Sequence, residues 1–444
     1  MPRVFTVLPN PDRRVRISGA IVAMAAMLSA CDEAALHDTG PKAEPMAAAL
    51  EISEADPGGP FAGARMAPKL RPVAQKARAG IVTAGDIDDT LNLAAFRRYA
   101  NRARRENDLP VVAMGKPLLL RLTATDGANQ ATVAAPWVRY TLRRPGADTA
   151  FHSGYSGVDG TISVFPAMLG HSGGGPVEVR AFASDRSSPV VARLRTGAPR
   201  RDVTMPVVSG TGPDFLDLAF VVDTTGSMAD ELRWLTTELR GIVTSLRRKF
   251  PEIDMRFGLI VYRDKGDAYV IRDLGFTKKV SSIVAALKAQ TAEGGGDYPE
   301  AAAAALQAAT RMQWRRGRGA RLLFHIADAP PHAKDRTAFI GAATTLAKSN
   351  VRIFALGASG VAQDAEYMMR HAALTGGGRY LFLTDDSGVG NRHAEPMISC
   401  YRVTALRDLI ARILTSELSG RRVEAARSAI IREVGTYANG RCRN

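Results

Sequence analysis

The spacing of apolar residues divides the chain into two regions with different predicted folds. Between residues 110 and 208, apolar positions alternate with polar ones or form short runs bounded by turn residues, which predicts β-strands. From about residue 214, apolar runs alternate with stretches of helical period, as in a mostly parallel, doubly wound sheet covered by helices on both faces. We therefore predict an α/β domain, residues 214–420, preceded by a small all-β sandwich, residues 110–208.

Individual elements follow from the same patterns. The strands predicted in the sandwich are Leu118–Thr125, Trp137–Leu142, Thr161–Phe165 and Val177–Phe182. Those predicted in the α/β domain are Phe215–Val222, Met255–Tyr262, Tyr269–Phe276, Arg321–Ala327, Arg352–Leu356 and Arg379–Leu383. The helices predicted there are Ala229–Lys249, Ser281–Gln290, Pro299–Met312, Arg336–Ser349, Gln363–Leu374 and Thr404–Leu418.

The other segments have compositions of their own. Residues 31–80 are rich in Ala, Pro and Gly, which indicates a flexible tether. Residues 81–109 are predicted to be a short helical segment, because the acidic stretch Thr83–Asn92 precedes a helical pattern and acidic residues favour a helix entry. Residues 421–444 are interpreted as a basic C-terminal tail.

Residues 1–30 have the pattern of an export signal. Arginines precede a short apolar stretch, Ile17–Ala30, which is too short to span a bilayer. Leu28-Ser29-Ala30-Cys31 resembles the lipobox of bacterial lipoproteins, where the signal is cut before a Cys that then takes a diacylglycerol. The resemblance implies lipidation of Cys31 and a membrane-anchored protein of the bacterial cell envelope, facing the periplasm or the exterior. The alternative is an ordinary signal peptide with a chance Cys.

Charge and cysteine content fit an exported protein. The remaining cysteines, Cys400 and Cys442, are expected to pair in an oxidising compartment, although two unpaired thiols stay an alternative. The formal net charge of +15 favours contact with anionic membrane surfaces or acidic polymers. Basic and aromatic residues are not interleaved as in nucleic-acid-binding modules, so we expect no nucleic-acid partner.

The most informative motif follows the first predicted strand of the α/β domain. Asp223, Thr225 and Ser227 stand at alternate positions after an apolar run and before a predicted helix. Side-chain oxygens gathered at the carboxyl end of a buried strand suit a hard cation such as Mg²⁺. Two later loops offer further oxygens: Gly294–Glu300, which reads Gly-Gly-Gly-Asp-Tyr-Pro-Glu, and the loop that begins at Asp328 after another apolar strand.

These three loops, taken in order, resemble the metal-ion-dependent adhesion site of von Willebrand factor A domains. The similarity spans roughly residues 214–385 and is strongest to the subgroup found in myosin-heavy-chain-kinase-like and related bacterial proteins. It implies an adhesion domain in which Asp223, Thr225, Ser227 and Asp328 hold Mg²⁺, or Mn²⁺ or Ca²⁺. It also implies a protein partner. A carboxylate of that partner would bind the metal as a further ligand.

Asp297 departs from the family pattern, because a Thr is usual there. A third carboxylate on the metal would make the site formally negative and weaken its attraction for an acidic partner. Asp297 could instead hold a metal-bound water, and the sequence leaves both readings open. Capped turns without any metal are the alternative for all three loops, and Asp264, Asp267, Glu300 and His332 are interpreted as solvated loop residues.

The sequence therefore favours a lipid-anchored binding protein over two rival functions. One rival is a structural envelope module whose metal only stabilises the fold. The other is a hydrolase that would use a metal-activated water or Ser172, because Gly170-His171-Ser172-Gly173-Gly174 matches the Gly-x-Ser-x-Gly motif. That motif requires a strand before Ser172 and a helix after it, whereas glycines and a strand-like pattern follow here, so we predict a hairpin loop and no enzyme.

Overall fold

A computed structural model describes residues 81–125, 131–184, 187–206, 212–358, 360–387 and 396–443. The predicted signal, the tether and Cys31 lie outside the described residues. The described residues belong to one unit, Lys69–Asn444. Among the helices described in these ranges, none has both the length and the apolar character needed to cross a membrane.

The first described elements are strand β1 (Thr83–Ile87) and helix α1 (Leu93–Glu106). The helix agrees with the prediction for this stretch. However, the expected acidic helix entry is wrong: Thr83–Ile87 is a strand with all five residues buried, and the first turn of α1 contains no acidic residue. The strand forms because it finds sheet partners much later in the chain, which no local pattern reveals.

The predicted β-sandwich is confirmed. In the described part of residues 118–205, two four-stranded sheets enclose an apolar core that includes Leu120, Val138 and Val179. One sheet contains β2, β3, β6 and β9, and the other has the order β5-β4-β7-β8. The strands are β2 (Leu118–Thr125), β3 (Thr132–Ala134), β4 (Arg139–Arg143), β5 (Ala150–Tyr155), β6 (Thr161–Val164), β7 (Pro176–Phe182), β8 (Val190–Arg195) and β9 (Arg201–Met205).

The α/β domain follows the predicted alternation of strands and helices. Its strands are β10 (Phe215–Asp223), β11 (Asp254–Tyr262), β12 (Ile271–Thr277), β13 (Gly319–Ala327), β14 (Val351–Gly357), β15 (Tyr380–Thr384), β16 (Tyr401–Ala405) and β17 (Arg432–Val434). Its helices are α2 (Ala229–Lys249), α3 (Val280–Lys288), α4 (Ala302–Arg311), α5 (Arg336–Lys348), α6 (Gln363–Thr375) and α7 (Leu406–Ser419).

These strands and β1 form one sheet. In the described residues its order is β12-β11-β10-β13-β14-β15-β1-β16-β17, and the pairs from β11 through β15 are parallel. Helices α1, α4, α5 and α6 contribute to the apolar core on one face, and α2, α3 and α7 to the core on the other. Every residue of β10 and β13 is buried, as expected for central parallel strands.

The α/β domain is built from two separate parts of the chain. Strand β1 lies between β15 and β16 and is antiparallel to both, so the sandwich is inserted between β1 and β10. Buried ion pairs connect the acidic residues of this N-terminal segment to the rest of the domain. The pairs are Asp86–Arg379 at 3.1 Å, Asp89–Arg370 at 2.7 Å, and Asp88–Arg422.

The last segment is more ordered than a basic tail. Strand β17 adds to the edge of the large sheet, and β18 (Thr436–Ala438) and β19 (Arg441–Arg443) form a hairpin. A disulfide joins Cys400 to Cys442, which confirms the predicted pairing. The interpretation of residues 421–444 as a tail is therefore wrong, because strand pairing and the disulfide attach this segment to the domain.

Candidate metal centre

The first loop begins where β10 ends. Asp223, Thr224 and Thr225 are buried, and a single 3₁₀ turn, Gly226–Met228, leads into α2. One carboxylate oxygen of Asp223, Oδ1, accepts hydrogen bonds from the backbone N–H of Thr225 at 2.9 Å and from its hydroxyl at 2.7 Å. These bonds fix the loop and leave the second oxygen of Asp223, Oδ2, for another interaction.

The third loop meets the first because β10 and β13 are parallel neighbours. Val222 is paired with Ile326, so Asp223 and Asp328 follow adjacent strand ends. The hydroxyl of Ser227 is close enough to the carboxylate of Asp328 to lower the pKa of that group, against the larger effect of burial. Predicted positions 223, 225, 227 and 328 therefore lie together at the carboxyl ends of two central strands, where doubly wound sheets bind ligands.

The second loop is attached to the first by backbone hydrogen bonds. The N–H of Glu293 donates to the carbonyl of Thr224, and the N–H of Gly226 donates to the carbonyl of Gly294, both at 3.2 Å. Gly295 has a φ of 76°, and a Cβ there would lie 3.1 Å from Cβ of Thr225. A glycine is thus required where the two loops approach most closely.

Two acidic residues of the second loop have opposite environments. Asp297, the predicted site residue, is exposed. Glu300 is only 4% exposed, and its backbone N–H donates to the carbonyl of Pro330 at 3.0 Å. The interpretation of Glu300 as a solvated residue is wrong. The sequence of the loop gives no signal for this buried position, because the contact that holds Glu300 is made with the third loop.

Burial strongly perturbs the acidic groups at this point. Burial, and then the nearby charge of Asp328, raise the pKa of Asp223 to about 7, although the Thr225 N–H opposes this shift. Burial also raises the pKa of Glu300 to about 9, with the charges of Asp223 and Asp264 adding to the effect. Burial raises the pKa of Asp328 as well. Without a cation, the site therefore holds several carboxyl groups that bind protons more readily than usual.

The other candidate positions form a separate arrangement beside this one. Asp264 is buried and its Oδ1 lies 2.7 Å from Nε2 of His332. Asp267 accepts backbone N–H groups of Asp264 and Gly295, each at 3.0 Å. Asp264 is therefore buried and not solvated, whereas Asp267 and His332 are half-buried and hold these contacts at the edge of the site.

The side chains present fit a hard divalent cation. Oδ2 of Asp223 is buried and has no partner with hydrogen-bond geometry in the described residues. The Tyr262 hydroxyl is close enough to lower the pKa of this carboxyl group, but its hydrogen-bond partner is Nε2 of His325 at 3.0 Å. Such orphaned carboxylate oxygens are rare in folded proteins, and a cation is one group that can satisfy them. The described ranges contain no cluster of three or more His, Cys, Asp or Glu side chains arranged to hold a metal, so the donors here are a pair of carboxylates with hydroxyl groups.

The Gly-x-Ser-x-Gly match lies far from this site and lacks the geometry of a nucleophile elbow. Ser172 is exposed in a turn, and strand β7 follows it where the motif would need a helix. The segment is a loop, as predicted, but it is not a hairpin, because β6 and β7 on either side of it belong to different sheets.

Comparison with known proteins agrees with the fold of the α/β domain. Residues 217–388 match the family model described as von Willebrand factor A domain. The chain is 32% identical over 119 residues to an ariadne-like RING finger protein of Acanthamoeba polyphaga mimivirus, and 31% identical over 121 residues to the alpha-protein kinase vwkA of Dictyostelium discoideum. Each alignment covers 27% of this chain, but only 11% and 19% of those proteins, so the chain spans less than a fifth of either relative.

Solved structures show weaker similarity. BatB from Bacteroides thetaiotaomicron is 17% identical with a TM-score of 0.33, and the match covers 46% of this chain and 98% of BatB. An aerotolerance-related membrane protein from Bacteroides fragilis is 16% identical with a TM-score of 0.29. The match covers 39% of this chain and 94% of the Bacteroides fragilis chain. Neither similarity is strong enough to inform function. The family match, the sheet and the three loops together show that residues 217–388 belong to the von Willebrand factor A domain family.

Proposed function

We propose that this chain is a lipid-anchored, exported binding protein that engages a protein partner through a divalent cation in its A domain. Asp223, Thr225, Ser227 and Asp328 would hold the cation, which we take to be Mg²⁺, with Mn²⁺ and Ca²⁺ as alternatives. When bound, the cation supplies a positive centre with coordination positions open to an oxygen atom of a partner.

The orphaned Oδ2 of Asp223 is the observation that supports this proposal. The oxygen is buried at the end of a central strand, and the described protein groups give it no hydrogen bond. A buried carboxylate without a partner is unfavourable by several kcal/mol, roughly, unless it is neutralised or paired. Asp328 on the adjacent strand end shares this environment, and a divalent cation would neutralise both groups together.

Calorimetric titration tests the cation site. Mg²⁺ and Mn²⁺ are titrated into the whole protein, the Asp223→Ala variant and the Asp230→Ala variant. Asp230 lies in the first turn of α2 and is paired with the exposed Arg233 at 3.0 Å, so it is a matched control. We expect wild type and Asp230→Ala to bind with equal affinity, and Asp223→Ala to lose binding. Equal weak heat from all three proteins would overturn the cation site.

Capture from envelope extracts tests the binding function. Wild-type protein with Mg²⁺ should retain a partner that is released by EDTA and is absent with Asp223→Ala. A different outcome is that wild type binds the cation, yet wild type and Asp223→Ala retain the same proteins from the extract. In that case the cation only stabilises the fold, and the chain is a structural envelope module.

The anchor requires its own experiment, because Cys31 lies outside the described residues. The Cys31→Ser variant should accumulate as a soluble protein or as an uncleaved precursor, and should not incorporate labelled lipid. Unchanged lipid labelling of this variant would contradict the anchor while leaving the cation site intact. Membrane fractionation of both proteins gives the location directly.

A further inference from the structure

We propose that Glu300, and not Asp297, is the acidic residue of the second loop that supports the cation. The inference rests on the proposed function, because it assumes that Asp223 and Asp328 hold a divalent ion. It assigns to Glu300 a positioning role, in which the side chain acts on the site through its charge and its free oxygen atom.

The backbone places Glu300 between the second and third loops. Its N–H donates to the carbonyl of Pro330 at 3.0 Å, and the residue forms a parallel bridge with Pro331. Pro330 is two residues beyond Asp328, so this pairing attaches the second loop directly beside a proposed metal ligand. Asp297 precedes this anchored point and remains at the exposed part of the loop.

The carboxylate of Glu300 is directed toward the first loop. A Cβ on Gly295 would lie 2.6 Å from Oε1 of Glu300 and 3.1 Å from Cβ of Thr225. This carboxylate and Thr225, whose N–H and hydroxyl bind Asp223, therefore both lie beside Gly295. The other oxygen of Glu300, Oε2, is buried and receives no hydrogen bond from the residues that the structure describes.

Charge explains why a buried residue would support a cation where an exposed one would not. The carboxylate of Asp297 is in solvent, which hydrates and screens it. The carboxylate of Glu300 is removed from solvent, so its interaction with a nearby cation is much less screened. In the described ranges, no three acidic side chains are arranged to bind one metal ion together. We therefore infer that Glu300 does not bind the cation directly and acts on it from behind Asp223 and Asp328. Groups in such positions typically change metal affinity by roughly 10- to 100-fold.

Matched substitutions in the whole protein test this assignment. Glu300→Gln and Asp297→Asn each remove one negative charge and keep the side-chain shape. In calorimetric titration with Mn²⁺, we expect Glu300→Gln to bind about tenfold more weakly than wild type or worse, and Asp297→Asn to bind within about twofold of it. Thermal unfolding in EDTA provides a second readout. Glu300→Gln should melt no lower than wild type, because without a cation the buried carboxyl group holds a proton at neutral pH and the amide replaces it at the same charge.

The outcomes separate this inference from the proposed function. If wild type binds Mn²⁺ but Glu300→Gln binds equally well, or Asp297→Asn is weakened as much, the assignment of Glu300 is overturned and the cation site stands. If Glu300→Gln lowers the melting temperature in EDTA, Glu300 is a structural residue and the assignment also fails. If wild type itself binds no Mn²⁺, the proposed function fails and this inference fails with it.

Discussion

The carboxylate of Asp89 and the guanidinium of Arg370 form a bidentate ion pair, although the two residues are 281 positions apart in the chain. The N–O distances are 2.7 and 2.9 Å, and both side chains are almost completely buried. Arg370 also donates to Glu366, one turn earlier in α6, at 2.9 Å. The pair attaches the segment after β1 to α6, so it holds the N-terminal strand in the A domain.

Removing one partner of this buried pair should destabilise the protein strongly. Asp89→Ala leaves Arg370 with one carboxylate in place of two, and we expect the free energy of unfolding to fall by about 3–5 kcal/mol. Chemical denaturation measures the change. Asp230→Ala, which breaks the exposed pair with Arg233, should lower it by less than about 1 kcal/mol. A similar small effect for both variants would contradict the structural role of Asp89.

A substitution at Gly85 tests the position of β1 inside the sheet. A Cβ there would lie 2.6 Å from Cζ of Phe382 and 3.2 Å from Cδ2 of Tyr401, so Gly85→Ala should lower the free energy of unfolding by about 1–3 kcal/mol. Gly341→Ala is the control, because Gly341 is exposed in α5 and a Cβ there would meet nothing within 4 Å. That change should raise stability by about 0.5–1 kcal/mol. Equal effects of one sign would argue against the placement of β1.

The disulfide should make a large contribution to stability. Cys400 and Cys442 are 42 positions apart, and chain-entropy reasoning assigns a closed loop of that size about 4 kcal/mol. We expect the double Cys400→Ser, Cys442→Ser variant to lose up to this amount, measured by denaturation against untreated wild type. Peptide mapping without reduction should recover the cross-linked pair. Two alkylated thiols in exported protein would contradict it.

Stability should depend on pH through His371. Burial, with a further contribution from the charge of Arg370, lowers the pKa of His371 from 6.5 to about 4. The unfolded chain therefore binds more protons between these values, so the stabilisation is complete above pH 6.5 and is lost as the pH falls toward 4. The stability difference between wild type and His371→Gln should shrink by about 3 kcal/mol across this window. A difference that does not change with pH would exclude His371 as the source.

The sequence predicted most of the A domain because its strands are buried on both faces and read as continuous apolar runs. Phe215–Asp223 and Gly319–Ala327 are of this kind, and the helices between them have clear amphipathic periods. Strand β1 was missed because Thr83–Ile87 contains a glycine and an aspartate and has no local strand pattern. Its pairing with Tyr380–Thr384 depends on contacts about 300 positions away, which no window along the sequence contains.

The three site loops were predicted from their motifs, because the first and third follow an apolar strand with oxygen-bearing residues and the second is a glycine-rich loop with acidic residues. Which acidic residue of the second loop turns inward was not predictable. Asp297 and Glu300 stand three positions apart in one polar loop, and the choice between them is made by the hydrogen bond from Glu300 to Pro330. That contact is made between two loops, so the sequence of neither loop alone predicts it.

The position of β1 also sets an order of events during synthesis. Thr83 leaves the ribosome 301 residues before Thr384, the residue it faces in the finished sheet. At about 5–20 residues per second, that interval is roughly 15–60 s. The sandwich consists of the intervening residues 118–205, so all of its strands are made within this interval. Strand β15, which pairs with β1, is made only at the end of it. The N-terminal strand therefore has no partner strand in the large sheet until β15 has been made.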